Sequence, residues 1–290
     1  MRVYASLFSR AKSQPAEEIF AFFPPVDQDW DGRFKELASA TSDGFDAWTF
    51  KQQRFRDKYP RTAVPKLRNY LDYTFVRLIK LEQDDQGKYF KLSADGNRVC
   101  FNTGLQNANQ SDLIATFEKA RPRTDGKKVS DWIYRGCYAP SDYGYRNFFT
   151  YDLPEIAWYS LDSRDFVFNT QYHIDKDIFG HIFDRARERA GMPDAADEAV
   201  ITYLKGTLDA LIPKIRRNYK VAIPVWYVVE ERMQMLLPFP SFSNKNDYSS
   251  FLVERDDQAK SYHLKTIFDL DQSYFSARLL TRPDREWLDP

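Results

Sequence analysis

The chain has 290 residues, enough for one large domain or two smaller ones, and 43% of them are hydrophobic, as in globular proteins. Its 42 basic residues cancel its 42 acidic residues, which argues against a protein that coats long DNA through a general basic excess. Neutrality still allows a local basic pocket, because a summed charge conceals how the charges are distributed.

The cysteine content and the hydropathy pattern indicate in which cellular compartment the protein is expected. Cys100 and Cys137 are too few for a disulfide framework and predict a reducing environment. The first residues lack the apolar stretch of a signal peptide, and no apolar run approaches the roughly 18 residues of a membrane helix. The three histidines have no metal-binding spacing, which disfavours a zinc enzyme. We therefore expect a cytoplasmic protein with no membrane segment.

The first half of the chain predicts mixed secondary structure. Residues 1–61 are aromatic and irregular, with a short helix at 32–40 and a strand around Trp48. Residues 65–83 place apolar side chains at spacings of three and four, which is typical of a helix packed on a core. A hairpin follows, because two strand-like segments flank the turn dipeptide Asp95-Gly96.

Further helices alternate with strands toward the middle of the chain. We predict a helix at 111–120 with Ser111 as its cap, and a strand at 132–138. Two more helices are expected at about 175–190 and 196–212, and Pro213 should end or kink the second one.

The last third predicts a four-stranded antiparallel meander and a closing helix. Four apolar segments, KVAIPVWYVV, RMQMLLPF, SFLVER and SYHLKTIF, are separated by polar turns, and Pro224 requires an edge or bulge. The helix follows at about 271–280. The expected fold is therefore α+β, a single compact unit with residues 1–61 as an irregular extension packed on a domain formed by 62–290.

Common catalytic and phosphate-binding motifs are absent from the sequence. It contains no GxGxxG, no GxxxxGK[ST] and no GxSxG. The segment RRNYK at 216–220 is a different kind of candidate, because Arg217 and Lys220 could bind phosphate at the junction of a helix and a strand. Cations at a helix C-terminus also complement the helix dipole, so both interpretations stay open.

The closing helix carries a second polar cluster. Asp271, Tyr274 and Arg278 are spaced i, i+3 and i+7 and share one helix face, and Arg282 follows one turn later. An acid, a phenol and two guanidinium groups could form a site. The alternative is an ion pair that ties the helix to the sheet.

Two clusters in the first half of the chain are further candidates for functional residues. The strand end at 100–104 offers Asn102 and Thr103 to a ligand, although Asn and Gly are also common in turns. Asn69, Asp72 and Tyr73 lie opposite the apolar stripe of their predicted helix, a face that is usually only solvated.

Exposed aromatic residues interleaved with arginine would suit stacking of single-stranded RNA bases. Tyr143 and Tyr145, beside Asp142 and Arg146, are the best loop candidates for such stacking.

Five strings, PKLRNYLDYTFVRL, RVCFNTGL, RRNYKVAIP, MQMLLPF and TIFDLDQSYFSARLLTRPDREWL, resemble a widespread prokaryotic family known only as a domain of unknown function. The resemblance covers residues 62–288. It implies frequent fusion to small RNA-binding modules of the cold-shock or winged-helix type, and hence a link to RNA. We expect no such appended module within these 290 residues. The recurrent polar positions of the family match those of the clusters above.

The clusters and the resemblance together predict a site. We expect Asp271, Tyr274 and Asp72 as catalytic candidates, with Asp271 orienting an arginine or acting as a general base. The expected binding residues are Asn69, Tyr73, Asn102, Thr103, Arg217, Lys220, Arg278 and Arg282. Asp269 and Asp271 could hold a magnesium ion, and no other metal site is expected.

Three functional hypotheses remain open at this point. The first is an RNA- or nucleotide-interacting domain, extending to the processing of a phosphate-containing substrate through an arginine-rich pocket. The second is a small-molecule hydrolase or transferase with an Asp–Tyr–Arg site. The third is a non-catalytic adaptor in a stress or defence system, with a protein partner bound through residues 1–61.

Overall fold

The computed structural model describes residues 3–9, 14–52, 56–57, 62–121, 130–149, 152–175, 183–244 and 247–280, apart from the side chain of Asp184. The chain divides into two compact units, Met1–Ala157 and Trp158–Pro290. The α+β class is confirmed, since the described residues form six helices and two five-stranded mixed sheets. Within the described ranges, no helix combines the length and apolar composition needed to cross a membrane.

The first unit is a five-stranded sheet with helices, in the order β1-β5-β4-β3-β2. Strand β1 pairs with β5 in parallel, and the other strands pair antiparallel. Its elements are β1 (Ala21–Phe22), α1 (Gly32–Ala40), α2 (Pro65–Asp84), β2 (Phe90–Leu92), β3 (Arg98–Gln106), β4 (Asp112–Lys119), β5 (Trp132–Tyr138) and α3 (Tyr143–Arg146).

Helix α2 forms where the sequence predicts it. Pro65 occupies the first turn, where its missing N–H costs no hydrogen bond, and the apolar stripe is buried. Phe75 of this stripe lies 5.7 Å from Phe101 of β3, measured between ring centroids. Phe20, from the segment predicted as an extension, lies 4.8 Å from Phe75 and 5.1 Å from Phe117. Residues near the N-terminus are therefore part of the core of this unit.

The second unit contains the predicted meander. Strands β7, β8, β9 and β10 pair antiparallel in sequence order, and β6 pairs with β10 in parallel at one edge. Pro224 lies in β7 at the other edge, as expected. The elements are β6 (His173–Asp175), α4 (Phe183–Arg189), α5 (Asp197–Arg217), β7 (Ile223–Tyr227), β8 (Arg232–Pro240), β9 (Tyr248–Asp256), β10 (Ser261–Asp269) and α6 (Leu270–Arg278).

Helix α5 contributes its apolar face to the core of the second unit. Val200, Leu204 and Leu208 recur at intervals of four and are fully buried, in one cluster with Leu237 and Phe251 of the sheet. The opposite face is largely exposed. The sheet therefore fixes which face of α5 is available to a ligand.

Pro213 does not end α5, because the helix continues to Arg217, and the kink that we gave as the alternative stays a prediction. A proline inside a helix costs one backbone hydrogen bond and a steric clash, about 3 kcal/mol in isolation. Packing of the same helix on the sheet, through residues such as Leu211 and Ile215 on either side of the proline, offsets that cost. The helix predicted at 175–190 is confirmed for Phe183–Arg189, and residues 176–182 lie outside the described part.

Two other predicted elements are wrong. Residues 112–119 form strand β4, and Ser111 closes the preceding turn by hydrogen-bonding with Asn107. Apolar side chains here are buried on both faces of the sheet, so a short run matches a helix as well as a strand. The region around Trp48 is a 3-10 helix, Phe45–Trp48, and the buried indole N–H donates to Thr41 Oγ1 at 2.9 Å.

Candidate functional site

The predicted residues on α2 differ in their environment. Asp72 is 3% exposed, and its Oδ1 accepts the backbone N–H of Leu7 at 2.7 Å. The face with Asp72 is therefore not the solvated face that we expected, because residues of the N-terminal segment cover the carboxylate. Asn69 and Tyr73 are half-buried on the same helix.

Asn102 and Thr103 stabilise an irregularity in β3. The pairing with β4 shifts between Asn102 and Gln106, and Gly104 has a positive φ of 72°. Thr103 Oγ1 donates to Leu113 O at 2.6 Å, and Asn102 Nδ2 donates to Asp112 Oδ2 at 3.0 Å. Both side chains thus hold the bulge together, and their binding role stays a prediction.

The residues on α6 share one face, as their spacing predicts. Asp271, Tyr274 and Arg278 are 1%, 3% and 7% exposed, so this polar face is buried. Their catalytic and binding roles stay predictions. Arg282 lies outside the described residues.

Asp269, the proposed partner of Asp271 for magnesium, begins α6. Its Oδ1 accepts the N–H of Gln272 at 2.9 Å, and its Oδ2 lies 3.6 Å from Nη2 of Arg189. The described residues contain no group of three or more His, Cys, Asp or Glu side chains placed to bind a metal ion. The magnesium site stays a prediction.

Tyr143 and Tyr145, the predicted stacking residues, differ in exposure. Tyr143 is 76% exposed, whereas Tyr145 is buried and its ring lies 5.1 Å from that of Phe149. Only Tyr143 could therefore contact a base in this conformation.

Several described cations of the second unit form ion pairs with carboxylates. Arg255 is typical, since Nη2 lies 3.0 Å from Asp165 Oδ1 and Nε lies 3.0 Å from Asp257 Oδ1. The other pairs are Arg164–Asp162, Arg187–Asp197, Arg189–Asp269, Arg232–Glu254 and Lys265–Glu230. These pairs neutralise the positive charge of their surfaces.

The end of α5 carries exposed cations that lie outside these ion pairs. Lys214, Arg217 and Lys220 are exposed, and none of the three has a carboxylate partner among the described residues. We call these three residues the basic row. Arg217 donates through Nη1 only to a main-chain carbonyl, that of Pro213, at 3.3 Å. Tyr219, which is 59% exposed, lies between the last two members of the row in the chain.

An open groove of about 830 Å³ adjoins the basic row. It lies between the exposed face of α5 and the region where β8 ends and β9 begins. Its lining residues are Thr202, Tyr203, Gly206, Thr207, Ala210, Leu211, Lys214, Pro238, Pro240, Ser241, Phe242 and Tyr248. Lys214 therefore belongs to both features, and Arg217, one turn further along, extends the same helix face.

Aromatic rings form the wall of the groove. Tyr203 donates its phenol proton to Pro240 O at 2.6 Å, and burial raises the pKa of this tyrosine, so the hydroxyl stays a donor. The ring of Phe242 lies 5.5 Å from that of Tyr203 at 85°, an edge-on arrangement. Phe242 is 63% exposed, although its backbone N–H donates to Ala190 O at 2.7 Å. The backbone is thus fixed while the ring faces solvent.

Glycine permits the close approach that places Phe242. Gly191 has a positive φ of 69°, and a Cβ added there would lie 2.2 Å from Ser241 Oγ. A larger residue at 191 would push away the segment that carries Phe242.

Sequence reasoning found Arg217 and Lys220 but missed the groove. Lys214, Tyr203 and Phe242 lie in different elements, and only the packing of α5 on the sheet brings them together. One available signal was Gly206, a glycine inside a predicted helix, where it costs about 1 kcal/mol relative to alanine. Another was Pro238 in a predicted strand, with Pro240 directly after that strand.

The fold and this surface define an α+β protein with a basic, aromatic-lined groove in its second unit. The sequence model of a family described as a domain of unknown function (DUF3825) matches residues 37–287. The chain belongs to that family. No curated protein and no solved structure matches the chain.

Proposed function

We propose that the second unit binds single-stranded RNA, or a nucleotide derived from it, along the groove and the basic row. The observation that carries the proposal is the row itself. Three exposed cations without carboxylate partners in the described residues continue from an aromatic groove, whereas Arg255 and Lys265 of the same unit are paired with carboxylates.

Phosphate binding accounts for the row better than helix-dipole stabilisation does. Cations stabilise a helix only within its last turn, but Lys220 lies beyond the end of α5 in the 3-10 helix Tyr219–Val221. Its N–H is held by Asn218 Oδ1 at 3.1 Å, so the row follows an ordered backbone. Exposed cations without carboxylate partners in the described part of the chain are suited to bind the phosphates of a flexible strand.

Exposed aromatic side chains also support binding of single-stranded RNA. Single strands are bound by stacking of bases on exposed rings beside a positively charged track. Tyr219 and Phe242 are exposed rings at the row and in the groove, respectively. The fusion to RNA-binding modules that the resemblance implies for other members agrees with this proposal.

Salt-dependent binding tests the proposal. The full chain is titrated into a fluorescein-labelled single-stranded RNA, and anisotropy is read at several salt concentrations. We expect affinity to fall with salt, and the double variant Lys214→Ala/Arg217→Ala to bind at least 10-fold more weakly with a slope about 1.4 smaller, since each single-strand phosphate contact contributes about 0.7.

Arg216→Ala is the matched control. Arg216 is adjacent to Arg217 and exposed, but its guanidinium donates to Thr170 O at 3.2 Å, away from the groove-lining face of α5. It should bind RNA within twofold of the parent. Binding that is absent at low salt, or an equal loss in the control and the double variant, would rule out the proposal.

A further inference from the structure

Gly206 is the feature of the groove that the fold itself does not explain. It lies in the interior of α5, where glycine destabilises a helix relative to alanine. A Cβ built at this position meets no atom within 4 Å. By contrast, a Cβ at Gly32 of α1 would lie 2.7 Å from Val26 Cβ, so packing requires that glycine. Nothing in the described chain requires a glycine at 206.

Because Gly206 has no side chain, it leaves a strip of the α5 surface with few side-chain atoms in the groove. Gly206 and Ala210 are one turn apart on the groove side, and Lys214 follows one turn later. Tyr203, one turn before Gly206 on the same helix, and Phe242, from the segment after β8, also line the groove, and their rings contact each other. A flat helix surface beside aromatic rings, with a cation at one end, fits a flat uncharged base that is joined to a negatively charged phosphate.

The edge of the sheet argues against a peptide strand as the occupant. Beyond Leu236, strand β8 has no pairing with β7, so its edge is open there. Pro238 and Pro240 lie on that edge, and a proline has no N–H to donate to an added strand. Backbone pairing, which gives strand addition its affinity, is therefore weakened where the groove lies.

We propose that the groove holds one unstacked nucleobase against Gly206 and Ala210, with the phosphate of the same nucleotide on Lys214. This inference rests on the proposed function and names the part of the ligand that the groove binds. The base stacks on Phe242, whose exposed ring is held in place through its backbone. Gly206 then sets the size of the site, because any side chain at 206 occupies the position of the base.

Substitution of Gly206 by larger residues distinguishes a role of this glycine in binding the base from a structural role. Gly206→Ala should raise the midpoint of thermal unfolding by about 2 °C, because alanine is the better helix former. The same variant should bind RNA more weakly, and Gly206→Leu should bind at least 10-fold more weakly than the parent. A glycine kept for folding would give the opposite result for stability.

The control adds the same bulk elsewhere on α5. Ala199 is exposed in the first turn and does not line the groove, so Ala199→Leu should bind RNA as the parent does. An abasic oligonucleotide of equal length gives a second readout. The parent should prefer the normal strand, and Gly206→Leu should bind both strands equally, with an unchanged salt slope because the phosphate contacts remain.

The outcomes distinguish the two proposals. Salt-dependent RNA binding that Gly206→Leu leaves unchanged overturns the base site and leaves the basic row intact. A parent protein that binds no RNA overturns both. Preferential capture of a proline-rich or acidic peptide by the groove, measured by competition with the RNA probe, would replace the nucleobase with a protein ligand.

Discussion

The phenol of Tyr203 donates a hydrogen bond to the carbonyl oxygen of Pro240 at 2.6 Å, and this contact joins α5 to the end of β8. Tyr203 is thus a wall of the groove and a link between the two elements that form it. The contact fixes the distance between the helix and the sheet edge where a ligand would bind.

Removing this hydrogen bond should slightly lower the stability of the folded protein. We expect Tyr203→Phe to lower the free energy of unfolding by about 1 kcal/mol, because Pro240 O loses a partner in a half-buried position. Urea denaturation measures the change. Tyr172→Phe is the control, since that hydroxyl bonds to the exposed Asp257 and water can replace it. An equal effect in both variants would contradict a special role for Tyr203.

Asp72 should behave as a structural residue. Asp72→Asn keeps the shape of the side chain but weakens a charge-assisted bond to Leu7 N in a buried site. We expect a loss of about 1.5–3 kcal/mol in the free energy of unfolding, measured by denaturant titration. Asp84→Asn, at the exposed end of the same helix, should change it little. Unchanged stability in Asp72→Asn would favour the catalytic hypothesis for this residue.

The two thiols should be unreactive in the folded protein. Cys100 is buried and Cys137 is half-buried with the Tyr134 hydroxyl donating to its Sγ, and burial raises the pKa of each thiol to about 12, whereas only the thiolate is nucleophilic. At pH 8 about one thiol in ten thousand is ionised, so a chromogenic disulfide reagent should react only after guanidinium unfolds the chain. Rapid reaction of either thiol in the native protein would contradict this expectation.

Asp95 should titrate well below an ordinary carboxyl. The hydroxyl of Ser93 and then the side chain and backbone of Asn97 lower its pKa from 3.8 to about 2. A carboxyl with a lowered folded-state pKa stabilises the hairpin above pH 3.8, and this contribution is lost as the pH falls toward 2. An NMR titration of the Asp95 carboxyl should give a midpoint near 2. Ser93→Ala should raise that midpoint, and no change in this variant would show that the hydroxyl is not the cause.

The sequence alone predicted the elements whose pattern is long or locally determined. Helix α2 carries its apolar stripe over five turns, and the hairpin at Asp95-Gly96 depends on its own turn residues. The meander and the closing helix were predicted for the same reason. The sequence also indicated the basic segment that contains Arg217 and Lys220, since a run of cations is visible without any contact being known.

Only the tertiary structure decided what depends on packing between distant residues. Strand β4 has apolar side chains on both faces, so its neighbours in the sheet, and not its own period, determine its conformation. Asp72 and Asp271 have the polarity of surface residues but are buried. The groove exists because α5 packs on the sheet and brings Gly206 and Phe242 together in its lining. Long-range contacts of this kind are set by the burial of apolar surface over the whole unit, and no local spacing records them.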